Sequence, residues 1–424
     1  MSELTHEVIT GASWSDLDRL NASFYSRFPY PWRPMSLRRV LDPEFESRFL
    51  AQALGRWGQL AVPAGGRIWV AGCGTNQAVI TALRFPAADV LGTDLSEPSL
   101  DLARNSAGQV GATNLTLRRE TIEESRDRDT FDHIICTGVV GHVTEPEVAL
   151  RRLGEALRPT GVIELMVYNA HQRVGLVAFQ DALRLLHAGD RDDFDGQLAV
   201  GRGLLANPEL KPLLVELGLP LSGVPAEALA DAVIQPIERG YTMAQLAEMA
   251  GRCGLRVAAP CLNQFDQPNQ RHDWNMRFVD PEVQRRYDAL PDLTRWEVTN
   301  LLRRETSPKL WVYLVREDSP LPLKPERQLT EELLAATEVE RGQTRTRLYM
   351  RSGASEYRAH PDEVPHPRAH PDPACQRIVD AVTGPGRARL ADAVAGERQG
   401  AGPADLNLVR LYLTTPLYPY LLVR

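Results

Sequence analysis

Residues 68–77, Ile68-Trp69-Val70-Ala71-Gly72-Cys73-Gly74-Thr75-Asn76-Gln77, read as an apolar strand running into a glycine turn and the start of a helix. A second strand tipped by an acid follows in Val90-Leu91-Gly92-Thr93-Asp94-Leu95-Ser96. Glycine lacks the Cβ that would collide at a close approach, so Gly72 and Gly74 are expected to bring the backbone up to a ligand. Asp94 stands 20 residues beyond Gly74, the distance at which a second parallel strand presents a carboxylate to ribose hydroxyls. Apolar runs at 67–71, 89–94, 114–118, 131–136 and 161–168 alternate with helical patterns. That alternation predicts a parallel sheet with right-handed crossovers.

Two further runs carry a family resemblance: Phe131-Asp132-His133-Ile134-Ile135-Cys136-Thr137-Gly138-Val139-Val140, and Leu157-Arg158-Pro159-Thr160-Gly161 leading into the apolar strand Val162–Asn169. With them, residues 45–170 resemble the class I S-adenosylmethionine-dependent methyltransferases, and the likeness extends with fewer marks to about 318. A Gly-x-Gly turn fits an NAD enzyme equally well; the Leu-Arg-Pro-x-Gly lead into a strand is characteristic of methyltransferases. The resemblance implies an α/β Rossmann-like sheet whose last strand, Lys309–Val315, inserts antiparallel beside a sixth strand at 256–262. It implies S-adenosyl-L-methionine as cofactor, held by Ala71, Gly72, Cys73, Gly74, Asn76 and Gln77, by Asp94, Leu95 and Ser96, by Glu120, Thr121 and Ile122, and by Thr137 and Gly138. This chain departs from the family in having Val70 where many members carry an acid, and Asn76 in place of a third glycine. Near Glu120 it also lacks the Asp that often binds the adenine amino group.

Composition bounds what else the chain does. It has 424 residues, 43% of them hydrophobic, enough for a full core and more than one domain. A formal net charge of −7 gives no basic footprint, so nucleic acid is an unlikely partner. The five cysteines, Cys73, Cys136, Cys253, Cys261 and Cys375, include no Cys-x-x-Cys pair and read as reduced thiols, with no metal expected. The polar start, Met1-Ser2-Glu3-Leu4-Thr5, lacks a signal core and no run approaches a membrane span, so a cytoplasmic protein without membrane attachment is expected.

The organisation read from the chain is an N-terminal arm at 1–44, a core at 45–318 and a linker with a small α+β accessory module at 319–424. Helical spacing between about 170 and 241 marks a cap inserted after the fifth core strand, at the rim where such sheets bind ligands; a stabilising or dimerising appendage is the other reading, and a homodimer is left open. Repeated prolines at 320–325 mark the linker. The tract containing His360, His366 and His370 lacks the fixed spacing of metal ligands and reads as a solvated linker.

Methyl transfer is an in-line displacement from an already reactive donor, so few catalytic groups are expected. His142, beyond the fourth core strand, is the candidate base, with packing on the cofactor as the alternative; Tyr168 is the second catalytic candidate. The arm Phe24-Tyr25-Ser26-Arg27-Phe28-Pro29-Tyr30-Pro31-Trp32-Arg33-Pro34 is expected to fold over the cofactor as a lid, removable without loss of core; an arm packed on the sheet edge is the equal alternative. In it Tyr25, Tyr30 and Trp32 face the substrate, and Arg33 is available for a carboxylate. Asn169 is a further acceptor-binding candidate, and His272-Asp273-Trp274-Asn275 reads as a surface turn. The acceptor expected is the nitrogen or oxygen of a small metabolite or a peptide-type natural product. The alternatives are a protein, peptide or RNA modifier that recruits its partner through 319–424, and a cofactor-binding regulator without turnover.

Overall fold

The computed structural model describes residues 15–31, 33–219, 225–261, 274–304, 307, 309–353, 356–366, 372–414 and 420–424. In chain order the strands are β1 (Ser36–Val40), β2 (Arg67–Ala71), β3 (Asp89–Asp94), β4 (Leu115–Arg119), β5 (Phe131–Thr137), β6 (Leu157–Asn169), β7 (Gly240–Tyr241), β8 (Leu255–Pro260), β9 (Lys309–Arg316), β10 (Val339–Gly342), β11 (Thr344–Ser352), β12 (Glu356–His366) and β13 (Tyr420–Val423).

Ile68, Trp69, Val70 and Ala71 are wholly buried, as a central parallel strand covered on both faces requires. The main sheet runs β4-β3-β2-β5-β6-β9-β8, with the short β7 added to β6. Pairings from β4 to β6 are parallel, and β9 runs antiparallel to both β6 and β8. The order reverses between β2 and β5, so the carboxyl ends of β2, β3 and β5 open the crevice where sheets of this kind hold ligands.

The chain leaves β6 at Asn169, whose side chain accepts from the His171 amide and caps the helix Ala170–His187. Helices Phe194–Leu205, Lys211–Glu216 and Ala226–Val233 complete a helical cap before β7 returns to the sheet. The arm is tied to this cap. Its helix Asp16–Arg27 starts on a capping box between Ser15 and Asp18 and buries Phe24 and, just beyond, Phe28 in one core with Phe194, Leu198, Leu229 and Val233. The expectation of a lid that can be removed without loss of core is therefore corrected: these rings are part of the cap's core.

The boundaries placed at 44–45 and 318–319 are both bridged by strand pairing. β1, from the arm, pairs antiparallel with β11, and β12 completes a three-stranded sheet. β12 also corrects the solvated-linker reading of His360 and His366. It is an edge strand, where Pro361 and Pro365 cost no central ladder bond. His370 lies outside the described residues. Helices Glu326–Ala335, Pro373–Thr383, Leu390–Glu397 and Pro403–Leu413 pack with β10 and β13, while Gln52 of the core donates to the Leu421 carbonyl and accepts from the Val423 amide. Among the described residues no helix is long and apolar enough to cross a membrane.

Candidate active site

The carboxyl ends of β2, β3, β5 and β6 open into a cavity of about 730 Å³ that is roofed by the arm and the cap. Gly72 and Gly74 have φ of +66° and +54°, the left-handed region that glycine adopts without strain. Both line the cavity, and each is also packed closely against protein. A Cβ at Gly74 would lie 2.5 Å from the Tyr30 carbonyl oxygen, and one at Gly72 would strike the Val139 side chain at 2.4 Å. The turn is thus fitted to the arm on one side and to the loop after β5 on the other. The Thr75 amide donates to the Tyr30 carbonyl at 3.3 Å, and the Thr75 hydroxyl donates to the Pro31 carbonyl. These bonds pin the arm across the turn.

Asp94 ends β3 with its carboxylate on the same cavity. Oδ2 accepts from the Gly74 amide and Oδ1 from the Ser96 amide, each at 2.8 Å. Burial pushes the carboxyl above its ordinary range, opposed by those backbone donors. Cys73, Asn76, Gln77, Leu95, Thr121, Ile122, Thr137 and Gly138 also line the cavity. Thr137 Oγ1 donates to Gln77 Oε1 at 2.8 Å, tying the glycine-turn helix to β5. Glu120 reaches the wall too, but Arg118 Nε donates to it at 2.7 Å, and the Thr121 hydroxyl accepts from the Glu124 amide.

Four predicted site residues turn elsewhere. Ala71 is a core residue beneath the turn. Ser96 caps the helix Glu97–Val110 and donates to the Tyr25 carbonyl. Arg33 stacks over the ring of Tyr357, 5.1 Å from its centroid. Asn169 is fully buried and donates to the Ser307 carbonyl. None of the four lines the cavity: Ala71 is packed in the core, Arg33 is held by an aromatic ring, and the polar groups of Ser96 and Asn169 serve backbone. Trp32 lies outside the described residues, as do His272 and Asp273; Trp274 packs edge-on to Trp296.

The other end of the cavity is lined by Tyr25, Tyr30, His142 and Tyr168, with Asp231 from the cap. His142 is held from three sides. Its Nδ1 donates to the Ile237 carbonyl at 2.7 Å, its own carbonyl accepts from Asn21 Nδ2 at 2.8 Å, and its ring meets Tyr168 edge-on at 5.8 Å. A carbonyl only accepts, so Nδ1 carries the proton and Nε2 a lone pair. Burial lowers the imidazole's proton affinity, keeping it neutral near pH 7. Tyr25 Oη accepts from Gln235 Nε2 at 2.5 Å. Asp231 and Glu123 were missed in the sequence. Each is one polar residue on an otherwise ordinary helix or turn, and only the folded cap and arm show that both face the cavity. Burial and neighbouring carboxylates raise both to about 7. Among the described residues no group of three or more His, Cys, Asp or Glu side chains is placed to hold a metal.

The turn, the acid at the end of the adjacent strand and the apolar flanks Leu95 and Ile122 are residues that could hold an adenosyl group. Residues 69–163 match the family model described as a methyltransferase domain. The core is a class I methyltransferase domain. S-adenosylmethionine is the cofactor that belongs in its cavity. The chain is 28% identical over 246 residues to an uncharacterized protein of Synechococcus, covering 55% of this chain and 58% of that protein. It is 29% identical over 134 residues to a ubiquinone biosynthesis O-methyltransferase of Acinetobacter baylyi, covering 30% and 56%. This chain thus spans little more than half the length of these relatives. Among solved structures, PKMT2 from Rickettsia typhi in complex with AdoHcy aligns over 93% of this chain and 77% of its own, with TM-score 0.53 and 14% identity. At that identity the likeness concerns the fold. It shows that the methyltransferase domain of this chain and its appended strands and helices recur together in another protein.

Proposed function

We propose that this chain is an S-adenosylmethionine-dependent methyltransferase acting on nitrogen or oxygen of a small metabolite or a peptide-type natural product. The observation that carries the reading is one cavity lined both by the glycine turn with Asp94 and by His142, Tyr168, Tyr30 and Asp231. Its volume lies in the range of small-molecule sites, roughly 300–1,000 Å³, which favours a compact acceptor or a single extended side chain over a broad macromolecular surface. Five buried cysteines, none in a disulfide, suit a reducing, cytoplasmic setting.

Bound in this cavity, S-adenosylmethionine supplies an electrophilic methyl group. The chain's task is alignment and exclusion of water. The arm, pinned by Thr75, shuts the cofactor end from solvent. Tyr30 and Tyr168 line the acceptor's part of the cavity, with Arg173 over one face of the Tyr168 ring. His142 Nε2 accepts a hydrogen bond, or a proton where the acceptor must lose one. The test is calorimetry with S-adenosylhomocysteine, together with a screen for S-adenosylhomocysteine release from S-adenosylmethionine with hydroxyl and amine acceptors. Binding at micromolar strength, near −8 kcal/mol, with acceptor-dependent release is expected. A folded chain that binds neither cofactor form sinks the reading.

A further inference from the structure

The cap places a carboxylate in the cavity without a cation to match it. Asp231, on helix Ala226–Val233, lines the chamber and, among the described residues, neither accepts a hydrogen bond nor joins an ion pair. The nearby cation is already engaged: Arg173 stacks 3.7 Å from the centroid of the Tyr168 ring and pairs with Glu238 at 3.0 Å. Tyr25, Tyr30 and Tyr168 line the same part of the chamber, and all three phenols feel the charge of Asp231. A carboxylate ringed by tyrosines and lacking a counter-ion is what a protonated amine completes, through an ion pair and cation–π attraction.

Resting on the methyltransferase reading, we propose that Asp231 with Tyr25, Tyr30 and Tyr168 forms the subsite for a primary or secondary amine, which makes the acceptor a nitrogen. Asp231 first pairs with the ammonium and then takes one proton from it. The freed nitrogen lone pair forms the N–C bond as the methyl carbon's bond to sulfur breaks, the electron pair staying on sulfur to give the neutral thioether. The methylated nitrogen keeps a positive charge, and Asp231 returns its proton to water, so one proton is released per methyl group. The raised proton affinity of Asp231 fits this duty, because burial and Glu238, opposed by the nearby Arg173, hold its carboxyl at about 7.

The experiment uses the full chain saturated with S-adenosylhomocysteine and two probes of equal length, n-hexylamine and 1-hexanol, followed by ligand-observed NMR titration. Hexylamine is expected to bind at least about tenfold more tightly than hexanol at pH 8, a difference near 1.4 kcal/mol. Asp231→Asn should bring the amine down to the alcohol's level, with Asp231→Glu retaining part of the preference and S-adenosylhomocysteine affinity staying within about twofold. Acidification below about pH 7 should erase the preference: Asp231, faced by Tyr25, Tyr30, Tyr168, Arg173 and Glu238, takes a proton while hexylammonium keeps its charge. Equal binding of amine and alcohol by the wild-type chain overturns the proposal, as does an amine preference that survives in Asp231→Asn. The wild-type comparison and the pH series decide the matter even if a variant fails to fold. Failure to bind S-adenosylhomocysteine at all would instead strike the methyltransferase reading.

Discussion

Gly74 sits where two backbones meet, and its substitution separates the arm from the turn. Alanine there carries about 1–2 kcal/mol of left-handed strain and drives a Cβ into the Tyr30 carbonyl. The expected result for Gly74→Ala is a folded protein whose arm is cut by protease between Arg27 and Pro34 at least several times faster than in the wild type, with weaker cofactor retention. An unchanged digestion pattern would show that the turn does not hold the arm. Asp94→Ala removes an ionised acceptor whose contacts are each worth about 1.5–3 kcal/mol. S-adenosylhomocysteine affinity should fall by tenfold or more in calorimetry, and an unchanged value in a folded variant would contradict the ribose assignment. Asp231 bears on stability with the opposite sense to an ordinary paired acid. Its folded pKa of about 7 lies above the unfolded value, so the folded state binds the extra proton and stability declines as pH rises from about 4 to about 7. Asp231→Asn should accordingly stabilise the fold at pH 8 by on the order of 1–2 kcal/mol after allowing for water in the cavity, read as a higher melting temperature, and stabilise it little at pH 4.5.

The elements divide by how local their signals are. β2, β3, β5 and β6 were legible because each is a short apolar run closed by glycine, acid or proline, and their carboxyl ends located Gly72, Gly74, Asp94 and Thr137 in the cavity. The cap helices were legible by their 3.6-residue period, but not the direction of Asp231, since a single acid on an amphipathic helix has the same pattern facing solvent or chamber. β12 was missed because its prolines mimic a linker and only pairing with β11 makes it a strand. Ser96 and Asn169 were misassigned because capping residues and ligand-binding residues are drawn from the same short polar set. The arm helix Asp16–Arg27 shares its core with the cap, and this yields a prediction. Phe24 is wholly buried among Phe28, Phe194 and their neighbours, so Phe24→Ala should cost about 3–5 kcal/mol. Hydrogen exchange should then rise in the cap helices 170–205 as well as in the arm. Exchange confined to residues 16–28 would mean that arm and cap are independent.

At the scale of the molecule, one buried carboxylate clamps the C-terminal helices to the methyltransferase domain. Glu326 Oε1 accepts from Arg410 at 3.0 Å, while Oε2 accepts from Arg295 at 2.8 Å and from the Trp296 indole at 2.9 Å. Glu326→Ala would strand the buried Arg410 guanidinium and leave Arg295 with Asp292 as its carboxylate, at about 3–5 kcal/mol, and should lower the melting temperature of the whole chain in a single transition. Two separated transitions would show that the C-terminal part melts by itself. Such long-range ties left no periodic trace, so the sequence suggested an appended module where the structure has one sheet shared between the arm and the C-terminal part.

The pairing of β1 with β11 also sets a schedule. Arg38 of β1 and His366 of β12 meet at 2.7 Å on the cavity wall although 328 positions separate them in the chain. At a synthesis rate of about 5–20 residues per second, the ribosome needs roughly a quarter of a minute to a minute to make the second partner after the first. Through that interval the nascent domain has its glycine turn and Asp94 but an unfinished chamber, and β1 waits as an unpaired edge. Completion of the chamber is thereby deferred until β11 and β12 have been made, and the waiting edge is the point at which a chaperone has most to protect.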